Sequence, residues 1–346
     1  MVPALAVADA LRADGAEVQF VGGDRAESTL VPEAGYPFHQ LKVVSLPRRS
    51  PVGAVRAVAI DSGAVVEAVR LVRQLAPNAV LGGGGYVAGP VSLAAVLRRV
   101  PLVLTEIDSH LGLTNRLLAP AAVRVCMAFP LSGRNGSRYV LTGRPVQPAA
   151  DRDEARRRFG IGAEETCVVV FGGSQGARSI NQAAIEAFKG SSFRVLHAAG
   201  QRDLPELEAP GPHYDLRGYI AGFEQALAAA DLVVARSGGS IFEIAAAGKP
   251  SVLIPYPHAT VDHQTTNARY LADAGAAVIL PDDELTAARL AQEVGRLLGD
   301  PAKLQAMGRA ALSLARPRAA ADIANEVLAA AALHRRPPSQ ARHPRG

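Results

Sequence analysis

The stretch CVVVFGGSQGARSIN, residues 167–181, decides the fold. A short β-branched run ends at Gly172 and Gly173, and Ser174, Gln175 and Gly176 then open a segment of helical spacing. A strand that breaks on glycines at the mouth of a helix is the repeating unit of doubly wound α/β sheets, in which ligands bind at the carboxyl ends of the strands. Glycine allows close backbone approach and positive φ, and the helix start offers unpaired N–H groups and a partial positive charge. Together these suit a phosphate.

Outward from that stretch the pattern recurs. Strands are expected at 17–21, 79–81, 101–104, 123–129 and 139–141, and in a second series at 167–171, 193–197, 232–235, 251–255 and 277–280. Ala/Leu-rich stretches of helical spacing separate them, which predicts parallel sheets covered by helices on both faces. Gly82 to Gly85 in VLGGGGYVAGP, and Gly238 and Gly239 in LVVARSGGSIFEIAAAG, repeat the strand-to-glycine junction. A tight turn explains any one of these loops; three in one chain point to a diphosphate ligand. None fits GxxxxGK[ST], and none is a GxGxxG with an acidic residue about 20 positions on, which argues against an ATPase or an ordinary dehydrogenase.

Two polar groups accompany the glycine loops of the second half. Glu243 falls one turn into the helix that begins near Ser240, where a carboxylate either accepts hydrogen bonds from a ribose diol or complements the helix dipole. Beyond SVLIPYP, the run HATVDHQTTNA at 258–268 places Asp262, His263, Gln264 and Asn267 between a strand and a helix. Such side chains pair with sugar hydroxyls, and Asp262 would also serve as a plain helix cap.

At 346 residues two domains are expected, of 1–147 and 148–333, joined through the proline-punctuated GRPVQPAAD at 143–151. The last helix is a candidate to pack back on the first domain, and the basic, proline-rich 334–346 is expected to be disordered. With 49% hydrophobic residues, 5% aromatics and no Trp, the cores must be built from Ala, Val, Leu and Ile. Cys126 and Cys167 lie far apart within apolar runs, the pattern of two buried thiols in a reducing compartment. The formal charge of +5 suits an anionic partner. No apolar run approaches the ~20 residues that span a bilayer, and the start lacks the features of a signal peptide. Arginines 48, 49, 56, 70 and 73 among Val and Leu at 46–75, with Arg98 and Arg99 nearby, suit either an anionic lipid surface or a solvated helix face. The chain opens on a helix, VPALAVADAL, with no strand before it, so either the true start lies upstream or the sheet lacks a strand.

The ordered set GGGGYVAGP, GLTNRLLA, LTGRPV, FGGSQGARSIN, RSGGSIFEIAAAGKP and DHQTTNARYL resembles the MurG family of glycosyltransferases (family 28), over almost the whole chain. The resemblance implies the α/β GT-B fold, two Rossmann-like domains facing across a cleft. It also implies inverting transfer of N-acetylglucosamine (GlcNAc) from UDP-GlcNAc to lipid I (undecaprenyl-diphosphate-MurNAc-pentapeptide) with a β1→4 bond. The enzyme would need no cofactor and would work as a peripheral protein on the cytoplasmic face of the cell membrane, against anionic lipid, with no nucleic acid as partner. Family roles carry over to Ser174 and Ser240 at the donor phosphates, Glu243 at the ribose, Ile220 by its backbone at the uracil, and Gln264 at the GlcNAc hydroxyls, with Gln175, Gly238 and Gly239 as further substrate-binding candidates. No DxD pair is placed to hold a metal.

Several positions depart from the family pattern. HEQN before GLTN reads Thr105, Glu106, Ile107, Asp108; NPVR reads Arg144, Pro145, Val146, Gln147. Asp108 and Arg144 remain substrate-binding candidates. The family's opening strand and GGTGGH loop are expected to be missing, with Met1 where the loop's histidine belongs, which leaves the catalytic base unknown and Glu106 and His110 as candidates. A GT-B transferase with another acceptor, a UDP-GlcNAc 2-epimerase and a catalytically silent nucleotide-sugar binder stay open as alternatives.

Overall fold

The computed structural model describes residues 2–42, 51–173, 176–257 and 262–335. The chain divides into two compact units, residues 1–145 with 318–346, and residues 146–317.

The first unit runs α1 (Val2–Ala13), β1 (Phe20–Gly22), α2 (Glu27–Glu33), β2 (Phe38–Gln40), α3 (Pro51–Leu75), β3 (Val80–Gly82), α4 (Gly85–Leu97), β4 (Leu102–Glu106), α5 (Leu113–Leu118), β5 (Arg124–Met127) and β6 (Tyr139–Leu141). Its strands form two parallel sheets, β1-β2 and β3-β4-β5-β6. The second unit runs α6 (Arg152–Arg158), β7 (Cys167–Phe171), α7 (Arg178–Ala187), β8 (Arg194–Ala198), β9 (Tyr214–Arg217), α8 (Phe223–Ala229), β10 (Leu232–Ala235), α9 (Ile241–Ala246), β11 (Ser251–Leu253), α10 (His263–Ala272), β12 (Ala277–Ile279), α11 (Ala287–Leu298) and α12 (Pro301–Leu314). The last helix, α13 (Ala319–Arg335), belongs to the first unit. There it packs with α1 over Val103 and Cys126, through Ile323, Ala324 and Val327. Arg124 of β5 holds it by an ion pair to Glu326 at 2.9 Å.

The sheet of the second unit is fully parallel, in the order β12-β11-β10-β7-β8-β9. All residues of β7 and β10 are buried, as strands covered on both faces must be. On one face Val168, Val170, Val234 and Val252 meet Ile180 and Ala184 of α7 and Leu290, Val294 and Leu297 of α11. By the ~25 cal/mol per Å² burial rule, each such aliphatic side chain contributes roughly 1.5–3 kcal/mol. Below β7 the Asp231 carboxylate accepts from Cys167 N–H at 2.8 Å and pairs with Arg152 at 2.6 Å and Arg156 at 3.4 Å. That knot fixes α6 at the amino ends of the strands and leaves the carboxyl ends to the loops. Both cysteines are free and buried, and burial pushes each thiol up to about 12.

Two strands, β2 and β9, were not expected from the sequence. Each is three or four residues long, β9 is a sheet edge, and neither carries an apolar run: they read FHQ and YDLR.

Candidate functional site

In the second unit the chain winds outward from β7 through β8 to β9, then returns to place β10 on the other side of β7. The sheet therefore has its switch point between β7 and β10, whose last residues pair directly, Phe171 with Ala235. The crevice beyond such a point is where open α/β sheets take ligands. Both strands end in glycine turns there.

The turn after β7 needs its glycines. Gly173 and Gly176 have φ of +94° and +77°, and Gly176 N–H closes the turn on the Gly173 carbonyl at 3.0 Å. A Cβ on Gly172 would stand 2.4 Å from the Ala177 backbone nitrogen, and one on Gly176 would stand 2.1 Å from the Ala199 carbonyl oxygen. Around Gly173 there is open space. The backbone thus lies against the protein at Gly172 and Gly176 and is open at Gly173. Ser174 and Gln175, between these glycines, lie outside the described residues.

A buried polar chain braces α7 behind the turn. Asn181 donates both amide hydrogens, to the Ala199 carbonyl at 2.9 Å and Asp203 at 3.1 Å. Its oxygen must then accept, so His197 carries its proton on Nε2, at 3.0 Å, and Nδ1 accepts from the Tyr214 hydroxyl at 2.8 Å. Burial holds the neutral imidazole down to about 4.

After β10, Gly238, Gly239 and Ser240 form a half-buried turn that leads into α9, with nothing crowding a Cβ at Gly238. Glu243, in the first turn of α9, lines a small pocket with Gln147, Phe223, Glu224 and Leu227. Ile220 is buried just beyond β9. Gln264, in the first turn of α10, accepts from Tyr256 N–H at 3.0 Å through its side-chain oxygen. A backbone N–H only donates, so the amide is oriented, and among the described residues its two N–H groups meet no acceptor. Ser237 secures α10 by donating to the Gln264 carbonyl at 2.7 Å while its own carbonyl accepts from Asn267 at 3.0 Å.

Sequence reasoning passed over Arg236, which sits between β10 and this turn. Its buried guanidinium reaches the carbonyls of Ile254 and Pro255 at 3.2 and 3.1 Å, Asp282 at 2.5 Å and the Ser179 hydroxyl at 2.8 Å. Its charge was visible in the sequence; its acceptors, in α7 and in the segments after β11 and β12, were not.

In the first unit the corresponding junction follows β3. A Cβ on Gly82 would stand 2.5 Å from Ser92 Oγ, and Gly84 has a φ of +75°. Glu106, buried at the end of β4, accepts from Asp108 N–H at 3.1 Å, Gly112 N–H at 2.9 Å and the Asn115 amide at 2.9 Å. Asn115 also donates to the Thr105 carbonyl at 2.9 Å, which ties α5 to the strand end. Asp108 is exposed in the loop so held; His110 there and Arg144 after β6 are half-buried. Among the described residues no helix is long and apolar enough to cross a membrane, and no group of three or more His, Cys, Asp and Glu is placed to hold a metal.

Comparison with known proteins matches both units. Residues 1–127 fit the glycosyltransferase family 28 N-terminal domain and residues 167–327 the glycosyltransferase family 28 C-terminal domain. The chain is 42% identical over 350 residues to the UDP-N-acetylglucosamine--N-acetylmuramyl-(pentapeptide) pyrophosphoryl-undecaprenol N-acetylglucosamine transferase of Moorella thermoacetica, covering 94% of each chain. It is 40% identical to the enzyme of the same name from Rubrobacter xylanophilus, covering 94% of this chain and 98% of the relative. The crystal structure of Acinetobacter baumannii MurG superposes with a TM-score of 0.78 at 30% identity, over 95% of each chain. With two parallel-sheet α/β units, matching domains and relatives along nearly its whole length, the chain belongs to glycosyltransferase family 28 and has the GT-B fold.

Proposed function

We propose that the chain transfers GlcNAc from UDP-GlcNAc to the MurNAc 4-hydroxyl of lipid I, with inversion, forming a β1→4 bond and releasing UDP. The names of the relatives at 42% and 40% identity support the reaction. The observation that carries the donor half is the β7/β10 switch point, with a glycine turn on each of its two strands.

In this reading the acceptor oxygen attacks the anomeric carbon as its bond to the β-phosphate oxygen breaks, the hydroxyl proton passes to a base, and negative charge gathers on UDP. The Gly173 N–H and the start of α7 serve that charge, and Ser174, Gln175, Gly238, Gly239 and Ser240 are the residues proposed to hold the diphosphate. The uracil edge meets the Ile220 backbone and the ribose meets Glu243, while Gln264 donates to a GlcNAc hydroxyl. Asp108 and Arg144 are substrate contacts contributed by the first unit. Glu106, with three donors on its oxygens, organises the acceptor-side loop and does not take the proton.

We assign membrane docking to the first unit. Leu97 of α4 and Leu113 and Leu117 of α5 are 60%, 63% and 68% exposed, and Arg70, Arg73, Arg98, Arg99 and Arg116 are exposed on or beside the adjoining helices α3, α4 and α5. Apolar side chains ringed by cations suit an anionic bilayer surface on the cytoplasmic side. The first arginines of that region, Arg48 and Arg49, lie outside the described residues. Sedimentation with vesicles should depend on anionic lipid and weaken in a Leu113→Ser, Leu117→Ser double variant; equal binding to neutral vesicles would remove this part of the proposal.

The test of the reaction is a radiolabelled UDP-GlcNAc assay. Label should enter lipid I with matching release of UDP. Consumption of UDP-GlcNAc without acceptor would indicate epimerisation instead, and tight binding without turnover a silent binder.

A further inference from the structure

Resting on the donor assignment above, we propose that Arg236 is the positioning residue that sets the two donor turns and Gln264 in register with one another. A buried guanidinium is costly unless its hydrogens find acceptors, and here the four acceptors come from three separate segments of the unit. Ser179 lies one residue into α7, directly behind the 172–176 turn, and its hydroxyl receives Arg236 and donates to Asp282 at 2.9 Å. Ile254 and Pro255 follow β11, and Asp282 follows β12. The guanidinium also lies 5.4 Å from the Tyr256 ring centroid, and Tyr256 N–H is the group that orients the Gln264 amide. Arg236 itself leads into the 238–240 turn.

One planar fork therefore joins the helix behind one turn, the start of the other, and the strand end that holds Gln264. Lysine would keep the charge and lose the fork, since a single ammonium cannot reach Ser179, Asp282 and two carbonyls together. Site groups displaced by about 1 Å bind and react far more weakly, so the effect should appear in the donor constants and leave the acceptor constants alone.

The experiment compares the wild-type enzyme with its Arg236→Lys, Ser179→Ala, Asp282→Asn and Asp282→Glu variants by steady-state kinetics, UDP titration calorimetry and thermal unfolding. Arg236→Lys should raise the donor KM and the UDP Kd at least tenfold while the lipid I KM stays within twofold. Ser179→Ala, which removes a single hydroxyl and leaves the guanidinium and its other acceptors in place, guards against misfolding and should raise both donor constants about threefold. Asp282→Asn should do the same, and Asp282→Glu should restore most of the loss. Wild-type UDP affinity in a folded Arg236→Lys variant, even with a lowered unfolding temperature, overturns the proposal by leaving Arg236 a purely structural residue. Wild-type protein that binds UDP but transfers no GlcNAc overturns the assigned reaction instead, and the UDP titrations still decide the role of Arg236.

Discussion

The two glycine junctions, Gly82–Gly85 after β3 and Gly172–Gly176 after β7, look alike in sequence but are built differently. The second belongs to a continuous six-stranded sheet, and its shape is enforced by backbone against backbone, with the Ala199 carbonyl where a side chain at Gly176 would be. The first stands in a four-stranded sheet and is braced by side chains: Ser92 fills the space beside Gly82, and Thr105 donates to the Gly82 carbonyl at 3.3 Å. A turn set by the backbone suits a diphosphate, which is recognised by N–H groups. A loop set by Glu106 and Asn115 depends on side chains that a substitution can unpair.

The sharpest way to break this contrast is to put a methyl group on each turn. Gly176→Ala should lower kcat/KM for UDP-GlcNAc at least 100-fold, because a Cβ meeting a backbone carbonyl at 2.1 Å cannot be relieved by a rotamer change. Gly84→Ala, whose Cβ would find the Asn115 amide no nearer than 3.6 Å, should cost only its backbone strain at φ +75°, roughly 1–3 kcal/mol of stability by chemical denaturation. Equal losses from the two substitutions would dissolve the distinction.

Glu106→Gln sharpens it from the other side. The new amide sets an N–H group against donors that now face a carboxylate, and an unsatisfied buried pair of this kind costs roughly 1–3 kcal/mol. The lipid I KM should rise about tenfold with UDP affinity unchanged. A lost UDP affinity would show that the two units do not divide the substrates in this way.

A third prediction concerns pH. His197 is neutral in the folded chain with its pKa at about 4, below its ordinary value of about 6.5, so between these values the unfolded chain binds a proton that the folded chain does not. Its contribution to stability is complete above about pH 6.5 and is lost as pH falls through about 4. By pH 4.5 the loss from this residue should be about 2–3 kcal/mol. Denaturant titrations of wild type and His197→Gln should converge as the pH is lowered; parallel curves would contradict the buried neutral assignment. The smallest effect expected is that of Gly295→Ala in α11, which meets nothing within 4 Å and should change the donor KM less than twofold.

These contrasts also mark how far the sequence carries. The strands of the second sheet that are buried on both faces, β7 and β10, announce themselves as CVVVF and LVVA, and the glycines that follow them are equally plain. The edge strand β9 reads YDLR because its polar residues face solvent or pair with each other, as Asp215 and Arg217 do at 2.6 Å, so no hydrophobic period exists to detect. Within the site, residue types that recognise phosphate and sugar were legible from their place after a strand. Arg236 was not, since its principal partner Asp282 is 46 residues away and two more are backbone carbonyls. The Glu106 clamp was hidden for the same reason, its acceptor role being set by N–H groups whose direction only the folded loop defines.

The proposal that the nucleotide sugar is held chiefly at the switch point of the second unit is tested most directly by amide hydrogen exchange with and without UDP-GlcNAc. The account predicts protection at 171–181, 218–222, 236–243 and 262–268, with 82–115 unchanged. Protection confined to 82–115, or none in the second unit at saturating UDP-GlcNAc, would contradict it.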